Sequence, residues 1–532
     1  MTLSSFWKSN KLLILLLVLV GLAVYLNTFR NGMFWDDNDF ILQNQYIRDF
    51  QAGKFFSENV IAGAGFGSNY WRPVLQIVFA VEWKLFHMWS GGYHAVNLLF
   101  HLANGILLFY ILKRLFDKRV LAFCVSLLFL VHPLQTEAVS YANSLGDSLS
   151  VFFMFAGALL FMKGRRFWPS IFYALALMSK ETAIIMPGLL FLVAFFDQPP
   201  SLSLPTRGRE AIKKIWPYLA LAAIYILLRA TTLNFGSTFN LYAEQNVFTS
   251  SVMVRIFTFF RILSIYLGLL FWPMNLHMER TVALATSMGS ASVIFGGLVF
   301  AGLIVFAVTG VKKWPVASFG IFWFFGGLSP TSNIAVPING LLYEHWLYLP
   351  MIGLFLAIIW AAIELSQKFG AQKILAVVFA VWICFFGFLT IRRNTDWHDP
   401  IRFYNQILKY NQNSYRVYNN LGMAYADANQ NDEAEKSYLK AVTLDPTVAV
   451  AYHNLGNIYR DTGQIDRAVD YYQKAIQQDP KFIFSTRALA ALYLDEKKYA
   501  EALPYVKALL DADPQNFQLQ AIYRELQALV AK

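Results

Sequence analysis

KILAVVFAVWICFFGFLTIRR, from Lys373 to Arg393, is the stretch on which the fold turns. Its eighteen residues from Ile374 to Ile391 carry no charge, close to what a helix needs to cross the hydrocarbon of a bilayer. Composition changes abruptly where it ends. Residues 1–393 hold 45 charged side chains, whereas the 139 residues that follow hold 32. The chain as a whole has 532 residues, 57% hydrophobic and 14% charged, against roughly a quarter charged in soluble domains. An integral membrane domain, 1–393, is therefore expected ahead of a soluble one, 394–532. The net charge of +11 divides the same way: 29 Lys and Arg face 16 Asp and Glu before the boundary, and 15 face 17 after it. A basic excess among membrane segments argues against nucleic acid as a partner. Cys124 and Cys384 sit far apart in apolar runs, so neither a disulfide nor structural zinc is expected.

Toward the N-terminus, apolar runs recur at 94–115, 119–132, 145–162, 167–178, 183–196, 215–232, 291–310, 314–329 and 345–364. Leu12–Leu26, without a small-residue cleavage site, reads as a retained first helix. Cations fall on alternate connections: Lys8 and Lys11, Lys113 to Arg119, Lys163 to Arg166, Arg207 to Lys214, Lys312 and Lys313, Lys368 and Lys373. They define one positive, cytoplasmic side. Arg255 and Arg261 interrupt 251–272, which reads as re-entrant or interfacial. About eleven crossings result, with the C-terminal domain outside. The long first outer loop, Arg30–Gly92, is expected to carry interfacial helices.

Toward the C-terminus, the sequence repeats every 34 residues. Gly422, Gly456 and Ala490 align, as do Tyr425, Tyr459 and Tyr493, then Ala434, Ala468 and Ala502, then Pro446, Pro480 and Pro514. This is the tetratricopeptide pattern, in which small residues let paired helices approach and proline ends the second helix. Full repeats are expected at 415–448, 449–482 and 483–516, an incomplete unit at 398–410, and a capping helix at Phe517–Val530. The fold class is thus all-α, a polytopic helical membrane domain followed by an α-solenoid. On the inner helices, Asn420, Asn454 and Asn457 are positioned to pair with an extended peptide backbone, although Asn-Leu-Gly also recurs in such repeats without binding anything.

Polar candidates gather on the outer side. Trp35-Asp36-Asp37-Asn38-Asp39 offers carboxylates that suit a general base, or else a solvated loop whose Asp39 caps the next helix. His132-Pro133, Glu137 and Asp147 form an ionisable turn between two membrane helices, costly unless it has a task or partner. Ser179-Lys180-Glu181, Arg229, Arg280 and Glu344-His345 complete the set. Cations converging on one cavity would suit a phosphate-bearing lipid, whereas single arginines at helix ends also serve as headgroup anchors.

In order along the chain come Asp36-Asp37 with Ile41 and Asn44, Tyr70-Trp71-Arg72-Pro73, Tyr93-His94-Ala95-Val96-Asn97, His132-Pro133 with Thr136-Glu137-Ala138-Val139, Ser179-Lys180-Glu181, and Glu344 with Leu347-Tyr348-Leu349-Pro350. With the repeats behind it, this ordered set resembles the GT-C class of polytopic glycosyltransferases, and within it the transmembrane and tetratricopeptide-repeat O-mannosyltransferases. The resemblance implies sugar transfer, with inversion, from a polyprenyl-phosphate sugar to an acceptor hydroxyl on the outer face, Ser or Thr of an exported protein. It implies Asp36 as the base, Asp37 as the alternative, and Glu137 as a group that positions acceptor or sugar. Lys180, Arg229, His345 and Arg280 become donor-phosphate ligands, with His132, Asp147, Glu181 and Glu344 as further site candidates. Since phosphate is a good leaving group, cations can stand in for a metal, and no cofactor is expected. The expected partners are the lipid donor, membrane lipids, and a polypeptide held by the repeats. A bacterial inner membrane is the expected location.

Two departures stand out. Relatives usually carry arginine at the position of His345, so phosphate contact there depends on imidazole protonation. They also tend to carry arginine where Leu145 stands. Two other readings remain open: the same donor serving a glycolipid or envelope polysaccharide, and a membrane scaffold without catalysis.

Overall fold

A computed structural model describes residues 9–199, 201–235, 246–338 and 340–531; Lys8, counted above among the basic connections, lies outside them. Among the described residues every regular element is helical. The chain divides into two compact units, the first ending at Asp399 and the second beginning at Pro400.

The first unit is a bundle of apolar helices: α1 (Asn10–Tyr25), α2 (Pro73–Phe86), α3 (Ser90–Phe116), α4 (Arg119–Val131), α5 (Thr136–Ser140), α6 (Leu145–Met162), α7 (Phe167–Leu177), α8 (Met186–Phe196), α9 (Leu204–Ala230), α10 (Val252–Phe271), α11 (Ala291–Gly310), α12 (Pro315–Leu328), α13 (Met351–Lys368) and α14 (Gln372–Asn394). Among the described residues, eight helical stretches are long and apolar enough to cross a membrane. They fit a multi-pass membrane protein. α7, α8, α12 and the α4–α5 pair are shorter pieces, and α4 bends by 55° at the break after Val131. Pro133 lacks the N–H that would continue the helix there. Leu298, Val305, Val377 and Val381 are each more than 60% exposed. Apolar side chains in that number are tolerated when lipid, not water, covers them.

α10 is long enough to cross, but its pairing is with the first half of α11. Ser264 donates to the Ser292 carbonyl at 2.6 Å, and Phe260 packs on Phe300 at 5.7 Å. Its last turn reaches the layer of loops, where the Leu270 carbonyl accepts from His132 Nε2 at 3.0 Å. α12 and α13 cross where Gly320 faces Gly353: a Cβ on either would lie 2.2–2.3 Å from the other's carbonyl oxygen. That backbone contact holds both ends of the segment carrying Glu344 and His345. At the bundle's opposite end the basic connections meet one another, with Lys118 paired to Glu364 and Lys113 donating to Asn10 at 3.2 Å.

In the second unit, α15 (Pro400–Leu408) precedes three helix pairs, α16 (Tyr415–Asp427) with α17 (Asn431–Leu444), α18 (Ala449–Asp461) with α19 (Ile465–Gln478), and α20 (Ile483–Asp495) with α21 (Tyr499–Ala512); α22 (Phe517–Val530) follows. The 34-residue period has a direct packing cause. A Cβ on Gly422 would sit 2.6 Å from the Tyr438 ring, and one on Gly456 2.5 Å from the Tyr472 ring. Ala434, Ala468 and Ala502 are fully buried at equivalent points.

Candidate active site

The loop after α1 is tied to the end of α14. Asn31 donates to the Asn394 carbonyl at 3.2 Å, and the Gly32 N–H to that of His398 at 3.0 Å. Trp35 then takes φ of 61°, a left-handed conformation that costs a bulky residue energy and persists only where its surroundings demand it. This turn separates two adjacent carboxylates. Asp37 points inward, 1% exposed; its Oδ2 accepts from the Phe34 N–H at 3.0 Å and its Oδ1 from the Asn143 N–H at 2.8 Å. Burial pushes its carboxyl well above the usual range, against the pull of those two N–H groups. Asp36 is half-buried, and its backbone N–H donates to Tyr141 Oη at 3.0 Å. Its charge is felt by the Tyr70 phenol, which burial raises first and Asp36 raises further. The short helical turn after Asp37 begins without a side-chain cap, and Asp39 lies inside its first turn instead of capping it.

Tyr141 stacks on Trp397, with ring centroids 5.2 Å apart, and Phe34 stacks on the same indole at 6.3 Å. Trp397, 1% exposed, thus links the Asp36 loop to the end of the last membrane helix.

Next to this loop lie two ion pairs. Arg72 grips Glu181 with two nitrogens, the shortest contact 2.8 Å, while stacking on Tyr70 at 4.4 Å. Lys180 Nζ lies 2.6 Å from Asp147 Oδ2, both side chains about nine-tenths buried. Arg229, expected to meet phosphate, gives its guanidinium to the carbonyls of Leu233 and Asn69. His132 is also engaged by backbone at both nitrogens: Nδ1 accepts from the Leu134 N–H, so Nε2 carries the proton donated to Leu270.

A third group surrounds Glu137 and Glu344, each 1% exposed. Glu137 takes both N–H groups of His345, ring Nδ1 at 2.6 Å and backbone N at 3.1 Å. Glu344 Oε1 accepts from the His277 N–H at 2.8 Å and from Arg280 at 3.2 Å; Arg393 stands 3.9 Å from its other oxygen and binds Asp396 at 3.0 Å. Burial and the Arg280 charge push the His277 ring down to about 4.

Asp147 and His345 both line a cleft of about 400 Å³, a figure that includes its opening to solvent, together with Ser150, Thr182 and Thr331. Its apolar wall includes Met154, which also lines a second space among Ile111, Phe155, Leu189 and Trp323. Tyr348 completes the cleft wall. Its hydroxyl accepts from Asn104 at 3.1 Å and donates to His101 Nδ1 at 2.9 Å; the ring tautomer follows from His101 Nε2 donating to Leu130. Among the described residues no group of three or more His, Cys, Asp or Glu is arranged to hold a metal ion.

Residues from eight separate stretches of sequence therefore meet at one end of the bundle. Sequence reasoning missed Arg72, His277, Arg393 and Trp397 as parts of this assembly. Arg72 had a signal, its place in Tyr70-Trp71-Arg72-Pro73 directly before a helix. In the repeat unit, Asn454 donates to Asn419 at 3.0 Å, Asn419 to Asn420 at 3.3 Å, and Tyr472 to Asn457 at 2.7 Å. Asn420 and Asn454 thus belong to a ladder whose hub, Asn419, was not singled out, and Asn457 bonds to Tyr472 apart from it.

A tetratricopeptide-repeat family model matches residues 415–448 and 449–482. The chain is 25% identical over 458 residues to a protein O-mannosyl-transferase of Caenorhabditis elegans, covering 81% of this chain and 63% of that protein. It is 24% identical over 487 residues to the protein O-mannosyl-transferase TMTC3 of Mus musculus, covering 81% and 51%. The TMTC3 of Homo sapiens is 23% identical over 471 residues, covering 81% and 51%. The chain thus resembles the transmembrane and tetratricopeptide-repeat O-mannosyltransferases over about four fifths of its length. It spans between half and two thirds of the length of these relatives.

Proposed function

We propose that the chain is a membrane glycosyltransferase that moves mannose from a polyprenyl-phosphate donor to a hydroxyl of an exported protein, with inversion. The observation that carries this reading is the split between two adjacent carboxylates: Asp37 is spent on two backbone N–H groups, and Asp36 stands half-exposed beside the buried ion pairs. Asp36 takes the proton of the acceptor hydroxyl as that oxygen bonds to the anomeric carbon. The carbon–oxygen bond to phosphate breaks on the opposite face, and the electron pair leaves with the lipid phosphate. Lys180 supplies positive charge beside the cleft that His345 lines. The apolar wall around Met154 suits the first units of a polyprenyl chain, and the names of the relatives supply mannose and a protein acceptor.

By the positive-inside rule the site faces outward and the repeats engage the acceptor. A bacterial inner membrane remains our reading. In an endoplasmic reticulum the same rule would turn the site to the lumen. The direct test is transfer of labelled mannose from a short-chain polyprenyl-phosphate mannose to an acceptor protein by the purified full chain. Donor binding without transfer to any protein, alongside transfer to a glycolipid, would replace the acceptor assignment.

A further inference from the structure

Glu137 was expected to touch acceptor or sugar, but its two oxygens are both turned to His345. Oε1 takes Nδ1–H at 2.6 Å and Oε2 takes the backbone N–H at 3.1 Å. A carboxylate that holds both the ring and its backbone fixes which ring nitrogen faces away. Nε2 then lies on the side of the ring away from Glu137, and His345 itself lines the cleft. Among the described residues no protein acceptor is paired with Nε2.

The neighbouring cations are differently placed. Lys180 is committed to Asp147, Arg229 to two carbonyls, and Arg280 and Arg393 flank Glu344. None of these four lines the cleft, whereas His345 does.

We infer that Glu137 is a positioning residue for His345: by holding Nδ1 and the backbone N–H it turns Nε2 of the ring toward the donor's phosphate. This rests on the function proposed above. The charged and titratable groups around the ring are Glu137 from α5, Tyr343 stacked on it at 5.5 Å, Asp147 with Lys180 across the cleft, Glu344 next in sequence, and Arg393, whose charge acts on Glu137. Tyr266 and His277, with Arg280, stand behind Tyr343 and Glu344.

The test measures binding of a short-chain polyprenyl-phosphate mannose to the full chain in detergent. Glu137→Gln should weaken donor binding about tenfold, the weight of one charge-assisted hydrogen bond, and should have no such effect when His345 is already alanine, a dependence that a merely structural role would not produce. A Glu137→Gln affinity equal to that of the wild type, or a loss of the same size in the His345→Ala background, overturns the inference and leaves the proposed function standing. Absence of donor binding in the wild type overturns the proposed function, and this inference with it. Should Glu137→Gln fail to fold, the same comparison is made with Glu137→Asp.

Discussion

The carboxylate of Asp37 accepts the backbone N–H of Asn143 at 2.8 Å, joining loops 106 residues apart, while its other oxygen accepts that of Phe34. That bond gives the two neighbouring aspartates different work. Asp36→Asn should lower transfer by at least about a hundredfold, the scale of a lost general base, while donor binding and thermal stability stay as in the wild type. Asp37→Asn leaves one buried N–H without its acceptor and should cost about 1–3 kcal/mol of stability. Turnover and melting temperature, measured on both variants, separate them; nearly full turnover in a properly inserted Asp36→Asn protein would end the assignment.

Trp397 stacks on Tyr141 and Phe34, the two residues that bracket the Asp36 turn. Trp397→Ala should lower kcat more than it raises KM for the donor, since the cleft at His345 does not include it. The lost buried ring should cost about 3–5 kcal/mol. Equal effects on both constants would mean that Trp397 shapes the donor site directly.

The Arg72–Glu181 pair is bidentate and largely buried. Arg72→Ala strands a carboxylate and should cost about 3–5 kcal/mol. Lysine presents a point charge and not a planar fork, so Arg72→Lys should recover only part of that loss. Full recovery would show that charge alone is required.

His277 is held near 4 by burial and by Arg280, below its value in an unfolded chain. Between about pH 6.5 and 4 the unfolded state binds a proton that the folded state refuses. Stability should therefore be complete above this window and fall as pH drops through it. His277→Gln should remove that part of the slope, read as melting temperature against pH. Asp37, shifted upward, acts in the opposite sense, so the comparison is made within each pH between variant and wild type.

Asn454, Asn419 and Asn420 form one hydrogen-bonded ladder across two repeats. Replacing both Asn420 and Asn454 by alanine should weaken acceptor binding several-fold and leave donor affinity unchanged. Unaltered acceptor affinity would assign the ladder to repeat packing alone.

Much of this protein was legible in its sequence because the signals are local or periodic. An uncharged run of eighteen residues is long enough to cross a bilayer whatever it packs against, and a glycine facing a tyrosine ring in two helix pairs 34 residues apart records a repeated contact. The order of motifs likewise pointed to Asp36, Glu137, Lys180 and Glu344. Their partners were not legible. Glu137 meets a histidine 208 residues away, Arg72 a glutamate 109 residues away, and Asp37 an amide in the turn before α6. Such pairings depend on how helices stack, which periodicity does not encode.

Residue type and spacing by themselves determined the apolar helices of the first unit and the repeats that follow it, and the family resemblance supplied the candidate stretches for the chemistry. Only the tertiary structure decided which charges are spent on one another and which line the cleft. The physical reason is burial: a charge withdrawn from water must find its partner in space, and that partner comes from whichever helix the packing brings near.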